Sequence, residues 1–153
     1  MEEIKIAKEL TVGLLERMGV RPEVEGFLRE GALHLEIRGD RESVLIGKHG
    51  RTLEALQTLI NRMVNKRLKS AIRITLDIDD YRKRRADSMA QMAHRMGEKA
   101  KSTGRPQTAG PFSAHDRRII HLTLKEEPSI KTESLGEGDL KKITVIPVAK
   151  REG

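Results

Sequence analysis

Ile46-Gly47-Lys48-His49-Gly50-Arg51 is the stretch on which the reading of this chain turns. Two glycines bracket two polar residues, so the backbone turns tightly with no bulky side chain in the way. A sugar-phosphate backbone can then approach the main chain closely. A long helix is expected to follow at once, over 51–68, so its unpaired N–H groups and positive dipole end face the same place. Lys48, His49 and Arg51 supply contacts to phosphate or sugar, and Val44, Ile46 and Leu53 an aliphatic surface for bases. Taken alone, the tetrapeptide also fits an ordinary helix–helix turn, and the flanking sequence has to decide.

Working outward, the helix carries Leu53, Leu56, Ile60, Met63, Val64 and Arg67 along one side and ends on Lys66, Arg67 and Lys69. A short helical turn is expected at 41–46 before the loop. Residues 32–38 alternate cleanly, with Leu33, Leu35 and Ile37 on one face and His34, Glu36 and Arg38 on the other. Glu30-Gly31 reads as a turn, preceded by a weaker strand at 24–28 and an amphipathic helix at 4–18 that stops at Gly19. After the long helix, Ile72, Ile74, Leu76 and Ile78 mark another strand. The first unit therefore reads helix, strand, strand, turn, loop, helix, strand. This is an α+β arrangement with helices on one face of a small sheet.

A second unit follows without a linker. Asp79 or Asp80 is placed to cap a helix over 81–101, whose apolar stripe is Ala86, Met89, Ala93 and Met96. An extended piece at 107–111 leads to Ser113-Ala114-His115-Asp116, a capping-box-like start for a helix to Leu124. Strands near 130–134 and 142–148, with Gly136 and Gly138 between them, close the unit. Arg117 and His121 stand four apart on one helix face. Both can donate to phosphate, Arg bidentately, although the spacing alone also fits a His121 that only packs or caps locally; Ile119, Ile120 and Leu124 are expected to face inward.

The order helix, two strands, short apolar turn, GxxG, long helix and strand resembles the prokaryotic (type II) KH domain, a single-stranded RNA module. Phe112-Ser113-Ala114-His115-Asp116-Arg117-Arg118-Ile119-Ile120-His121-Leu122 resembles the signature of the RxxxH domain, whose members bind single-stranded nucleic acid. A KH unit over 1–78 joined to an RxxxH unit over 79–153 is similar to the bacterial Jag family, also called KhpB. The resemblance implies RNA contacts from Ile46, Gly47, Lys48, His49, Gly50 and Arg51 and from Arg117, Arg118 and His121. It implies a small KH-only partner, with a KH–KH homodimer as the alternative. Many relatives carry a further N-terminal domain, and this chain is expected to be a short form that opens on the KH helix. Post-transcriptional regulation tied to envelope growth is the role the resemblance implies.

Composition sets the outer bounds. The 153 residues carry a formal net charge of +7 and a pI near 9.9, which favours a polyanion as partner. Residues 1–77 contain 14 Lys+Arg and 12 Asp+Glu (+2) and residues 78–153 contain 16 and 11 (+5), so the second unit holds most of the excess. Arg82-Lys83-Arg84-Arg85 reads as a solvated basic face, with Arg82, Arg84 and Arg85 as additional phosphate contacts. With no cysteine, disulfides, thiolate metal sites and cysteine nucleophiles are excluded. Phe27, Tyr81 and Phe112 are the only aromatics, so aliphatic and basic groups must dominate any grip on bases. Neither a membrane span nor a signal-peptide core is visible, and the expected location is the cytoplasm. Asp77-Ile78-Asp79-Asp80 raises a Mg2+ nuclease as one alternative. No Ser, His and acid constellation supports a hydrolase, and no cofactor is expected. A protein-pairing module with incidental RNA affinity is the other alternative.

Overall fold

Period-two alternation forms the strands of the first unit, because each strand has a single buried face. A computed structural model describes residues 1–39 and 44–149. Its first compact unit is Met1–Arg82 and its second Lys83–Gly153. The first contains α1 (Glu2–Arg17), β1 (Glu23–Arg29), β2 (Ala32–Arg38), a 3-10 turn (Lys48–Gly50), α2 (Arg51–Leu68) and β3 (Arg73–Ile78). The expected helical turn at 41–46 lies partly outside the described residues, and its described part, 44–46, is a turn.

β1 pairs antiparallel with β2. The hairpin turns at Glu30 (φ 52°) and Gly31 (φ 77°), the two positive φ angles that a primed two-residue turn requires. β2 pairs parallel with β3, so the chain between them must cross over, and α2 makes that crossing. Leu33, Leu35, Ile37, Ile74, Leu76 and Ile78 face a core completed by Ala7 and Leu15 of α1 and Leu53, Leu56, Ile60 and Val64 of α2. Each such large aliphatic chain contributes about 1.5–3 kcal/mol by leaving water.

The outer edge of β3 would expose unpaired backbone groups. Three α2 side chains at four-residue steps meet them instead. Asn65 donates to Ile72 O (2.8 Å) and accepts from Ile72 N (2.9 Å). Asn61 donates to Ile74 O (2.8 Å), and Gln57 Oε1 accepts from Leu76 N (2.9 Å). The ladder continues in Arg82, whose Nε and Nη2 donate to Leu76 O (3.3 and 3.1 Å). Tyr81 packs against the same core. These contacts are why the first unit extends to Arg82 rather than ending with β3.

The second unit holds α3 (Tyr81–Thr103, from its third residue on), β4 (Gln107–Phe112), α4 (Ala114–Leu124), β5 (Ile130–Leu135) and β6 (Lys141–Pro147). Its sheet runs β4-β6-β5, antiparallel throughout. β6 is central and buries Ile143, Thr144 and Val145 in succession. Thr144 satisfies its hydroxyl against Thr108 (2.9 Å). Met89, Ala93, Met96 and Ala100 of α3 meet Phe112, Ile120 and Leu124 in the core. Gly97 lets α3 close on its neighbours, since a Cβ there would stand 3.1 Å from Leu124 and 3.0 Å from Ile130. Ile119, expected inward beside Ile120, is only half-buried.

Asp79 and Asp80, the expected caps of α3, both take positive φ (49° and 55°) in the turn before it. Asp79 Oδ1 accepts from Gly39 N (3.1 Å) and Asp80 pairs with Arg38 (3.4 Å). Asp77 Oδ1 is the acceptor for Arg82 N at the helix start (3.4 Å).

Candidate nucleic-acid interface

The GxxG loop owes its shape to three left-handed residues, Gly47 (φ 72°), His49 (φ 58°) and Gly50 (φ 74°). Hydrogen bonds from Gly50 N to Gly47 O (3.3 Å) and Leu53 N to Ile46 O (3.1 Å) close it. Both glycines also answer to neighbours within the fold. A Cβ on Gly47 would overlap Thr52 Oγ1 and stand 2.8 Å from Thr52 Cβ. A Cβ on Gly50 would stand 2.8 Å from Tyr81 Cε1, and Gly50 is buried. The outward face of the loop therefore consists of Gly47, Lys48, His49 and Arg51, with Lys48 and Arg51 exposed.

The aliphatic surface expected beside the loop needs correction. Ile46 (5% exposed) and Leu53 (1%) belong to the core and cannot receive a base, whereas Val44 is 51% exposed. Apolar residues next to a binding loop and apolar residues beneath it share one sequence pattern, and the core claimed two of the three.

In the second unit Ser113 caps α4, accepting from Asp116 N (3.2 Å), as its spacing implies. Arg117 Nη1 donates to Phe112 O (2.9 Å), which fixes the guanidinium against the loop before the helix. His121 Nδ1 meets Thr132 Oγ1 of β5 at 2.8 Å, turning Nε2 away from the sheet. Arg117, Arg118 and His121 thus line one open recess of about 320 Å3, with Ala114, Thr132, Glu133, Ser134 and Ile143 completing it. Thr132, Glu133 and Ser134 are absent from the sequence expectation. Their place depends on β5 packing beside α4, which no local spacing encodes.

The basic run divides by direction, as four successive helical residues must. Arg82 reaches Leu76 O and Gln57 Oε1 (3.0 Å). Arg85 holds Asp116 through Nη2 (2.8 Å) and Nε (3.2 Å). Asp116 is 2% exposed, so this pair lies at the edge of the core rather than on a solvated face. Lys83 and Arg84 are exposed.

The acidic run is engaged as well. Asp77 accepts from Ile78 N (2.9 Å), Asp79 from Gly39 N, and Asp80 holds Arg38, whose guanidinium is raised above its ordinary value by that hydrogen bond and charge. Among the described residues no three His, Asp or Glu side chains gather into a metal-binding group. Nor is any helix among them long and apolar enough to cross a membrane.

Comparison with known proteins matches residues 5–78 to the KH domain of KhpA/KhpB and residues 87–147 to the R-3-H domain, the RxxxH domain of the sequence reading. The chain is 34% identical over 128 residues to the RNA-binding protein KhpB of Clostridium symbiosum, covering 84% of this chain and 58% of that protein. It is 28% identical over 147 residues to RNA-binding protein KhpB of Bacillus subtilis, covering 95% and 71%. For the Lactiplantibacillus plantarum protein of the same name the figures are 29% over 139 residues, 91% and 43%. The chain thus spans little more than half of the first of these relatives. GxxG lies within the first matched region and the Arg117–His121 face within the second, so the chain joins a KH domain of the KhpA/KhpB type to an RxxxH domain and is similar over most of its length to the KhpB proteins.

Proposed function

We propose that this chain binds single-stranded RNA at two surfaces and that binding, not catalysis, is its task. Lys48, His49 and Arg51 contact phosphate or sugar around Gly47. Arg117, Arg118 and His121 hold a second segment of strand in the recess beside β5. The observation that carries the reading is that recess: Arg117 and His121 are each fixed by a partner, Phe112 O and Thr132 Oγ1, and open on the same space as Arg118. Prepositioned donors bind phosphate with less loss of side-chain freedom. Arg82, held at both Leu76 O and Gln57 Oε1, and Arg85, held at buried Asp116, leave the contact set, and Arg84 stays in it on its exposure. Two modest sites on one chain gain by avidity. Contacts of this kind position a strand more than they read its bases, so single-stranded DNA is a competitor to be measured. The role fits a cytoplasmic post-transcriptional regulator linked to envelope growth.

The test is fluorescence anisotropy of a labelled single-stranded RNA of about 20 nucleotides across a salt series. Lys48→Asp is compared with Arg118→Ala/His121→Ala and with wild type. Each variant should weaken binding and flatten the salt slope, by about 1 for each phosphate no longer neutralised. Wild-type affinity in both variants overturns the assignment. Lys48 is the better probe of the loop, because Gly47→Asp would also displace Thr52.

A pairing role has an observation of its own. Leu10, Gly13, Leu14 and Met63 line a recess of about 230 Å3 between α1 and α2, and Leu59 is 45% exposed. The partner in that reading is a KH-only protein or a second copy of this chain. Sedimentation of wild type against Leu59→Glu decides it: a dimer that dissociates in the variant supports pairing, and a monomer in both removes the second-copy case.

A further inference from the structure

The first unit uses only one face of its sheet for its core, and the other face carries an aromatic pair that neither RNA surface includes. Of the three aromatics in the chain, Phe112 is in the second core and Tyr81 packs on the first. Phe27 is 39% exposed. It stands directly across from His34, and the two rings stack with centroids 5.2 Å apart and planes 16° from parallel. Such a cross-strand pair supports the hairpin by ~0.2–1 kcal/mol. That role occupies one face of the Phe27 ring and leaves the exposed remainder unexplained.

Neighbouring rows of the sheet give the face a polarity. On one side of the pair the register aligns Arg29, Ala32 and Arg73, and both arginines are exposed. Arg29 has a loose contact to Glu30, 4.0 Å apart with both side chains mostly in water, which leaves its charge available. On the other side the register aligns Glu25, Glu36 and Asp77. Beyond them Arg38 stands 3.6 Å from Glu36 and partly neutralises that row, so the unopposed attraction for phosphate lies at the Arg29 and Arg73 end, beside the aromatic ring.

We infer that the open sheet face of the first unit is a third RNA contact, in which an unpaired base stacks on Phe27 while its phosphates lie over Arg29 and Arg73. This rests on the RNA-binding reading above and extends it to a surface outside the GxxG loop. Base–aromatic stacking tolerates any base, because every base has a π-face.

The chain has no tryptophan, so Phe27→Trp places a single fluorescent reporter at the site. Hexaadenylate RNA is titrated against this variant, and binding is followed in parallel by anisotropy of the same labelled RNA. Stacking should quench the indole saturably at the concentration where anisotropy reports binding. Adding Arg29→Glu/Arg73→Glu should move the quench to RNA concentrations higher by about 5-fold or more, as the removal of two phosphate contacts requires. In the otherwise unchanged chain, Phe27→Leu keeps an apolar side chain on the strand and should weaken hexaadenylate by about 5-fold or more, the lower end of the measured worth of one stacked base. RNA that binds with unquenched fluorescence, and with wild-type affinity for Phe27→Leu, overturns the sheet-face site and leaves the other two standing. RNA that does not bind wild type at all overturns the RNA reading first and this inference with it.

Discussion

Replacing Arg85 with methionine should destabilise the second unit far more than neutralising the acid it holds. Arg85 meets Asp116 at 2.8 and 3.2 Å, but the partners are not equally buried: side-chain exposure is 25% for Arg85 and 3% for Asp116. Arg85→Met keeps the packing of the stem and leaves a carboxylate that water cannot reach. Breaking a buried pair from one side costs about 3–5 kcal/mol, and the partial exposure of Arg85 puts this case at about 3 kcal/mol. Asp116→Asn retains an acceptor for the guanidinium, and the freed cation can turn toward solvent, so about 1–2 kcal/mol is expected. The double variant Arg85→Met/Asp116→Leu should regain much of the loss, because an apolar pair of similar volume replaces the ionic one. Amide hydrogen exchange in α4 and β6 of the full chain reads this unit directly, and Arg85→Met should accelerate it about 100-fold. Single variants within about 0.5 kcal/mol of wild type would refute the argument and return Arg85 to the solvated basic face.

Asn65→Ala should cost about 1–3 kcal/mol in urea unfolding of the first unit, because it strips partners from both Ile72 N and Ile72 O at the β3 edge. Gly50→Ala should destabilise more than Gly31→Ala: both have positive φ, but a Cβ at 50 meets the Tyr81 ring at 2.8 Å and at 31 meets nothing. Thermal melts give the difference, which is the Tyr81 contact alone. The Glu127 carboxyl sits below its ordinary range, first because Ser129 donates to it and then because Lys101 stands near. Its contribution is therefore present above the unfolded value of 4.5 and fades as pH falls through the lower folded value. Melts of Glu127→Gln and wild type should differ slightly at neutral pH and converge in acid.

Alternation in Ala32–Arg38 and the apolar stripe of 51–68 make the first unit legible, since both are local patterns with one buried face. Ser113 and Asp116 likewise announce the start of α4. What stays hidden is long-range. Gln57, Asn61 and Asn65 form a polar stripe that reads as a solvated helix face until β3 is seen beside it. Asp116 looks like one half of a capping box, and its pairing with Arg85, 31 positions earlier, has no local signature. Ile46 and Leu53 read as a base platform because burial and stacking ask for the same side chains. The loop glycines read as openings for RNA, and the Tyr81 ring against Gly50 is a second reason for glycine that only the fold displays.

Backbone amide shifts of the labelled chain during titration with a short single-stranded RNA test the two-surface account most directly. Gly47, Lys48, His49 and Arg51 should move together with Arg117, Arg118, His121 and Thr132, and high salt should reverse both sets. RNA that binds while neither set moves would contradict it.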